Sequence, residues 1–212
     1  EYQLIAVSEK RDLDPKQLLG KPVHIALELS DRSHRHFHGL VTRFGLTGGQ
    51  GRLFTYALTL HPWLWLMSRR ADTRIFQNLS VPDILKKVFQ PFSSDFKFSL
   101  TGSYPKRDYC VQYRESDLDF ASRLMEQEGI FYFFEHSAGR HLMVVADKNT
   151  VHVPVPGHAE FRYRAQDLGA IEYEANDEWR FTEQIQTGRI SLNDYDFLNP
   201  KTSLLVDAKK DR

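Results

Sequence analysis

Hydrophobic and polar residues alternate along the first third of the chain. Large aliphatic side chains occupy every second position over residues 23–29, and Phe54, Tyr56 and Leu58 begin a second series of this kind. A period of two places one face of a strand in the core and leaves the other accessible to solvent. The first third of the chain is therefore predicted to form half-buried antiparallel strands.

The segment 37–46 also alternates, but its phase slips, because Val41 and Phe44 take opposite parities. We place the slip at Gly39 and predict a β-bulge there. The glycines of 48–51 precede a strand and not a helix. They are therefore predicted to form a hairpin turn, and not a loop that binds phosphate.

Short helices are predicted between the strands. The first covers 14–20, where an Asp-Pro pair starts the helix and a glycine ends it. Ser80 and Asp83 form a capping box, which predicts a second helix near 80–90.

The third helix is predicted near 116–128, with a capping box that starts at Ser116 and a stop at Gly129. Asp119 stands four positions before Arg123, the favourable order for an ion pair on a helix surface, so we expect these two side chains to pair. The spacing of the apolar residues predicts a buried stripe made of Leu118, Ala121, Leu124 and Met125.

A strongly apolar segment, 130–134, follows this helix. Its side chains are apolar on both faces, so we predict a strand that is covered on both sides. A turn at Ala138 and Gly139 then leads into the apolar residues 142–145, which predicts a hairpin.

These patterns divide the chain into three parts. Residues 1–75 are rich in strand patterns, residues 76–150 mix helices with strands, and residues 151–212 show strand patterns again. The segment 151–157 contains two prolines and a glycine, which is typical of a domain boundary. The predicted fold is therefore mainly β with an α+β insertion at 76–150.

Composition and charge exclude several classes of protein. The 212 residues include 28 basic and 28 acidic side chains, so the net charge is zero, which argues against nucleic acid or an anionic membrane as a partner. Hydrophobic residues make up 41%, which is enough for a core and excludes an intrinsically disordered chain. A membrane-spanning helix needs about 20 apolar residues in a row, and no apolar stretch of this chain approaches that length. With one cysteine, Cys110, the chain forms no internal disulfide.

The two ends of the chain suggest a fragment. It begins at Glu1, without a methionine or a signal peptide, and it ends at Arg212, directly after a predicted strand. We expect both ends to lie within a longer protein and the part 151–212 to be the incomplete start of a domain.

His34, His36 and His38 are the sharpest indication of chemistry in the chain. Alternate positions of one strand project from the same face, and imidazoles placed in this way can chelate zinc when a further ligand completes the site. The alternative is a solvated polar face beside Arg32 and Arg35. Because no ligand from another element can be identified, we predict no metal site.

The acidic residues are explained by structure better than by acid–base catalysis. Glu115, Asp117 and Asp119 surround a predicted helix N-terminus, where the helix dipole stabilises negative charge. Glu126 and Glu128 are expected on the solvent side of the same helix.

Neither the cysteine nor the tryptophans indicate an enzyme. Cys110 is expected to be a small buried residue of a strand and not a nucleophile. Trp63 and Trp65 are a candidate platform for stacking sugar rings, but we expect them to anchor a strand end in the core. We therefore predict no catalytic residue and no cofactor.

One long segment strongly resembles the VgrG family, the spike proteins of the bacterial type VI secretion system, which are related to contractile-phage tail hub and late control D proteins. It comprises 107–120, with the sequence RDYCVQYRESDLDF, and most of 123–134. Further blocks resemble the family in the same order, so the resemblance covers nearly the whole chain; they are 37–44, 56–66, 74–77 with 80–85, and 194–200.

The resemblance implies the N-terminal hub region of such a spike. It implies antiparallel β-barrel domains of the phage tail hub type, with a first barrel at 1–75, an α+β insertion at 76–150, and a linker and the start of a second barrel at 151–212. The family pattern Arg-x-Phe-x-Gly is matched by Arg35, Phe37 and Gly39, so His36 and His38 fall at interleaved positions without a ligand role.

The resemblance also implies partners and a location. The full-length protein is expected to be a homotrimer that docks on the hexameric Hcp tube and contacts baseplate components. It is expected to carry a needle with its tip protein and effector or adaptor proteins. It would assemble in the cytoplasm of a Gram-negative bacterium, at the secretion baseplate, before it is secreted.

Two alternatives remain open from the sequence. One is the hub protein of a contractile phage tail, which has similar mechanics. The other is an enzyme, either metal-dependent through His34, His36 and His38 or acting on sugars through the acids and tryptophans. An enzyme requires titratable groups that converge in a pocket, whereas a hub requires large flat interfaces and edge strands.

Overall fold

The computed structural model describes residues 1–29, 31–154, 162–163, 175–176, 180–185 and 187–209. It divides into two compact units. The first comprises Glu1–Glu160 with Glu172–Glu174, and the second comprises Phe161–Ile171 with Ala175–Arg212.

Strands dominate both units. The strands are β1 (Tyr2–Ser8), β2 (Pro22–Glu28), β3 (His34–Gln50), β4 (Leu53–His61), β5 (Ala71–Phe76), β6 (Phe96–Ser99), β7 (Cys110–Ser116), β8 (Phe131–Ser137), β9 (Arg140–Ala146), β10 (Arg162–Tyr163), β11 (Ala175–Asn176), β12 (Arg189–Leu192) and β13 (Val206–Lys209). The α-helices are α1 (Val81–Phe89) and α2 (Asp117–Glu128), and the 3-10 helices are Pro15–Gln17, Trp63–Arg69 and Asn149–Val151.

The alternating first third forms one antiparallel sheet with the strand order β1-β4-β3-β2. One face buries Val41, Tyr56, Leu58 and Leu60 in a compact apolar cluster. A two-residue turn joins β3 to β4, and Gly51 takes a φ of 61° there, which confirms the predicted hairpin. The short helix after Asp14 is also confirmed, since the Asp14 carboxylate accepts the backbone N–H of Lys16 at 2.9 Å.

The predicted bulge at Gly39 is wrong. The pairing of β3 with β4 shifts at Thr42 and again at Thr47, whereas Gly39 pairs in register with Val23. Gly39 is glycine for another reason, since a Cβ there would lie 3.1 Å from the carbonyl oxygen of His61. The phase slip in the sequence therefore marks Thr42, and the glycine marks a close approach of two strands.

The second half of the first unit packs the two α-helices against strands. β5 pairs with β7 antiparallel, and β6, β9 and β8 form a second sheet in which β6 and β9 run parallel. Both predicted helices are confirmed with their caps, at Ser80 for α1 and at Ser116 for α2. Their shared core includes Ile84, Leu85, Val88, Phe89, Phe120, Ala121, Leu124 and Met143.

Two details of α2 differ from the predicted pattern. Phe120 is fully buried and stacks on Phe76 at 5.6 Å between ring centroids, while Leu118 is only partly buried. The expected ion pair of Asp119 with Arg123 does not form, because Arg123 pairs with Glu115 at 2.5 Å. Asp119 instead completes the cap of its own helix.

The predicted hairpin after Gly129 is confirmed as β8 and β9, with Gly139 in the turn at a φ of 71°. The expectation that β8 is covered on both sides is wrong. Tyr132 is 39% exposed, so one face of β8 is not fully covered. β8 is also an edge strand, since β9 takes the central place in the sheet. Residues Met143, Val144, Val145 and Ala146 of β9 are fully buried.

The prediction of a mainly β protein with an α+β part and predominantly antiparallel pairing is confirmed. In the second unit, β12 pairs with β13 antiparallel, and β10 with β11 parallel. Closure into barrels and the divisions 1–75, 76–150 and 151–212 stay predictions, and part of the proposed linker, 155–157, lies outside the described residues. No helix in the described part of the chain is long and apolar enough to cross a membrane.

Candidate functional site

The three alternating histidines of β3 do not converge on a common point. His36 takes part in a hydrogen bond with His24 of β2, with 2.9 Å between their ring nitrogens, and His34 stacks beside it with 6.4 Å between ring centroids. His38 instead contacts His141 of β9, with 2.7 Å between their Nδ1 atoms. His36 thus contacts β2, whereas His38 contacts β9.

This arrangement does not favour a metal centre. A zinc site needs three or four ligand atoms that point at one position. Among the residues that the structure describes, no group of three or more His, Cys, Asp or Glu side chains is placed to hold a metal ion. The prediction that the site holds no metal stays a prediction, which metal analysis can test.

The structure places the first group of acids at the base of α2, in structural roles. Asp117 is fully buried, and its carboxylate accepts hydrogen bonds from Arg70, Arg74 and Gln112. Glu115 pairs with Arg123. Glu115 and Asp117 therefore have cationic or amide partners within the fold, and the Asp119 carboxylate accepts the Ser116 hydroxyl at 2.6 Å, which is not the arrangement of a general acid or base.

Glu126 is exposed, as predicted, and the other candidates have structural partners. Glu128 pairs with Arg107 at 2.6 Å, and Cys110 is a buried strand residue as predicted. Trp63 is buried with Leu64, which confirms that the tryptophan motif anchors a strand end in the core. Trp65 stacks on His61 at 5.3 Å and lies under the guanidinium of Arg69 at 4.5 Å, so two side chains of the fold already contact its ring.

The Asp147 carboxylate lies outside these groups and has a lowered pKa, which its hydrogen bonds explain. Burial alone would raise the pKa of Asp147, but the backbone N–H groups of Gly102 and Thr101 donate to it at 2.6 and 2.8 Å and lower the pKa to about 2. The Tyr104 hydroxyl donates to the same oxygen at 3.0 Å, and burial together with this bond raises the pKa of Tyr104 to about 12. These hydrogen bonds hold the loop 101–104 against Asp147, which directly follows β9.

Sequence reasoning missed two histidines that the fold brings to His38. His136 and His141 face each other across the β8–β9 hairpin, and both strands of the hairpin contact β3. The backbone N–H of His38 donates to Nδ1 of His136 at 3.1 Å. Their symmetric positions around Ala138 and Gly139 were the available signal, but their partner lies about a hundred residues away in the chain.

The most unusual surface of the first unit is the outer face of the β5–β7 sheet. Cys110 and Gln112 of β7 are buried, whereas Tyr113 of the same strand and Tyr109 directly before it are exposed. Tyr113 is 63% exposed, and Ile75, which pairs with Val111, is 58% exposed. A strand that buries its polar residue and exposes its aromatic residues is typical of a surface that a partner covers.

Other strands also expose apolar side chains. Ile5 and Val7 lie on β1, at one end of the four-stranded sheet, and are 73% and 63% exposed. The second unit exposes a larger set, namely Ile190, Leu192, Tyr195, Phe197, Leu198, Leu205 and Val206. The candidate functional features are therefore apolar strand surfaces suited to protein association, and not a reaction centre.

The comparisons with known proteins agree with this conclusion. A family model described as "Phage tail baseplate hub (GPD)" matches residues 1–212. The chain is 47% identical over 206 residues to the type VI secretion system spike protein VgrG1b of Pseudomonas aeruginosa, which covers 97% of this chain and 28% of that protein. It is 34% identical over 206 residues to the actin cross-linking toxin VgrG1 of Vibrio cholerae, covering 96% of this chain and 18% of that protein.

A solved structure shows the same fold. It is a type VI secretion system component of E. coli, described as similar to the T4 bacteriophage tail proteins gp27 and gp5. The match has a TM-score of 0.66 and 26% identity, and it covers 78% of this chain and 45% of that chain. These matches confirm the resemblance to the VgrG family, and the chain spans less than a third of the length of the curated relatives.

Proposed function

This chain belongs to the phage tail baseplate hub family, and we propose that it is the hub module of a type VI secretion spike of the VgrG kind. Its role is that of a spike or hub component. It is a structural module and not an enzyme, in keeping with its matches to a type VI secretion spike protein and a secretion-system component that resembles phage tail proteins.

The observation that supports a hub best is that β7 buries its polar Gln112 and exposes its aromatic Tyr113. Tyr113 of β7, Tyr109 directly before it and Ile75 of β5 are exposed, whereas Cys110 and Gln112 of β7 are buried in the fold. An isolated domain gains nothing from this arrangement, because exposed aromatic side chains do not contribute to its core. A module that is covered by other subunits in its assembly does gain from it.

The family resemblance implies how the full-length protein assembles. We propose a homotrimer in the full-length protein, in which two similar barrels per chain give six equivalent positions that abut the hexameric Hcp tube. The protein would contact baseplate components and carry a needle, its tip protein and effector or adaptor proteins. It would assemble in the bacterial cytoplasm and then be secreted.

A second candidate, the hub of a contractile phage tail, is favoured by the description of the family model. The two proposals require the same trimeric hub. They differ in genomic context, so the neighbouring genes distinguish them.

Light scattering tests the hub assignment. A full-length protein that contains this chain should be a stable trimer, whereas the 212-residue chain alone should be a monomer or a weak, concentration-dependent oligomer. A stable interface usually buries more than about 2,000 Å², and this chain holds only part of that surface. A monomeric full-length protein at micromolar concentration would show that the assignment is wrong.

A surface variant tests the apolar face. Tyr113→Ser in the full-length protein should leave the melting temperature unchanged and reduce either the trimer fraction or the export of Hcp. Val153→Ser, which changes an exposed apolar residue outside this face, is the matched control and should affect neither.

A further inference from the structure

Three histidines join the four-stranded sheet to the β8–β9 hairpin. His38 comes from β3, His136 from β8 and His141 from β9. The Nδ1 atoms of His38 and His141 are 2.7 Å apart, and the backbone nitrogen of His38 lies 3.1 Å from Nδ1 of His136. His141 is almost fully buried, at 4% exposure.

The bonding partners determine where the proton of His141 lies. The backbone N–H of Trp63 donates to Nε2 of His141 at 2.9 Å, so this nitrogen carries no proton. A neutral His141 therefore carries its proton on Nδ1 and donates it to Nδ1 of His38. It follows that His38 is neutral as well and carries its own proton on Nε2.

His136 is constrained in the same way. Its Nδ1 accepts the backbone N–H of His38, so its proton lies on Nε2, which faces the Tyr2 hydroxyl at 3.0 Å. Two of the three imidazoles thus accept from backbone N–H groups, and a backbone N–H cannot become an acceptor. A second proton on His141 or His136 would place two N–H groups against each other and remove a hydrogen bond.

The surroundings offer little to stabilise a positive charge at this joint. Two groups near the three rings come from the start of the chain, namely the amino terminus at Glu1 and the Tyr2 hydroxyl on β1. The others are His24 on β2, Arg35 on β3, Asp95 before β6, and Arg140 on β9. Asp95 is the carboxylate in this set, and Arg140 already pairs with it at 2.8 Å. The other charged groups are cationic.

We propose that His38, His136 and His141 form an acid-sensitive latch, which holds the hairpin against the sheet when the three rings are neutral and releases it when they are protonated. This inference concerns the joint inside the first unit. It does not depend on the trimer, the Hcp tube or any other partner of the proposed hub.

The pKa shifts agree with the bonding pattern. Burial, with His38 and His136 as further causes, lowers the pKa of His141 to about 4, and burial lowers the pKa of His38 and of His136. A released His has a pKa of about 6.5, so the released state binds more protons between about pH 6.5 and pH 4. The closed latch is therefore fully stable above about pH 6.5 and weakens as the pH falls towards 4.

Nitrogen-15 NMR of the histidine rings in the 212-residue chain tests the closed state. At pH 7.5 we expect His141 to be protonated on Nδ1, and His38 and His136 on Nε2. A proton on Nε2 of His141 at this pH would overturn the proposal, and this measurement needs no variant.

Amide hydrogen exchange tests the release. Between pH 7 and pH 5, the protection factors of the Trp63 and His38 amides, corrected for intrinsic exchange, should fall by about tenfold or more, which is the effect of one histidine with these two pKa values. The Leu124 amide inside α2 is the internal reference and should keep its protection. An equal, small change at all three amides would overturn the proposal.

His141→Gln separates titration from packing. The Gln carbonyl can accept the Trp63 N–H but does not titrate in this range, so the acid-dependent loss of protection at Trp63 should become smaller, with His38 and His136 as the remaining titrating groups. His34→Gln, at an exposed position on the same strand as His38, is the control and should retain the loss. If the Trp63 amide of His141→Gln still lost protection as in the unsubstituted chain, the latch would be excluded.

Discussion

The carboxylate of Asp117, the first residue of α2, is bound by the guanidinium of Arg74 in β5. Gln112 donates at 2.9 Å to the oxygen that Arg74 binds, Oδ1, and the other oxygen, Oδ2, accepts a hydrogen bond from Nε of Arg70 at 2.5 Å. Asp117 is fully buried, whereas both arginines reach solvent in part. The bonds tie the start of the helix to the strands on which it packs.

We predict that Asp117→Asn destabilises the first unit by about 2–3 kcal/mol. Removing one partner of a fully buried pair costs about 3–5 kcal/mol, and the partial exposure of the arginines reduces this cost. Chemical denaturation of the 212-residue chain measures the change.

Asp72→Asn is the control for this substitution. Asp72 also lies near Arg74, at 3.5 Å, but it is exposed, so its loss should cost less than about 1 kcal/mol. Equal effects of the two substitutions would contradict the structural role of Asp117.

Leu124 is predicted to be a core residue whose truncation unfolds the region around α2. It is fully buried between the helices and strands of the larger apolar cluster. Leu124→Ala should cost about 2–5 kcal/mol, through lost burial and the cavity that remains. Leu118→Ala, on the same helix but half-buried, should cost less, and an unchanged melting temperature for Leu124→Ala would contradict the packing.

Gly129 is predicted to be needed for its backbone conformation alone. It ends α2 with a φ of 67°, and a Cβ at this position would meet no atom within 4 Å. Gly129→Ala should therefore destabilise the chain by about 1 kcal/mol through left-handed strain. Gly45→Ala, where space is also free but φ is not positive, should cost nothing, and thermal unfolding compares the two.

We predict that the purified chain holds no stoichiometric metal and shows no catalytic turnover. His36 has its neighbour in His24, while His38 has its partner in His141, so the three histidines of β3 share no common centre. Elemental analysis after dialysis checks this. Stoichiometric zinc that is lost in both His36→Ala and His38→Ala would contradict it.

Local features of the fold were predictable because their causes lie within a few residues. The caps at Ser80 and Ser116 and the stop at Gly129 are set by hydrogen bonds and backbone angles that the neighbouring residues determine. The same holds for the hairpin turns at Gly51 and Gly139. The family resemblance depended on a longer run of residues, and the matches along the whole chain agree with it.

Pairings between distant residues were not predictable in this way. Alternation correctly placed strands but not the bulge, because Thr42 becomes a bulge only against its partner strand β4. Burial of Cys110 was predicted, but the exposure of Tyr109 and Tyr113 was not, since local hydrophobicity does not show which face of a strand α2 covers. The tertiary packing buries Cys110 and Gln112 on that face instead.

The sequence by itself thus determined the strand-rich composition, the two α-helices with their ends, and the membership of a hub family. Only the tertiary structure decided that His38 meets His141, that Asp117 meets Arg74, and which apolar side chains remain outside. The physical reason is that caps and turns are bonds between near neighbours, whereas burial and side-chain protonation depend on groups that folding brings together from far along the chain.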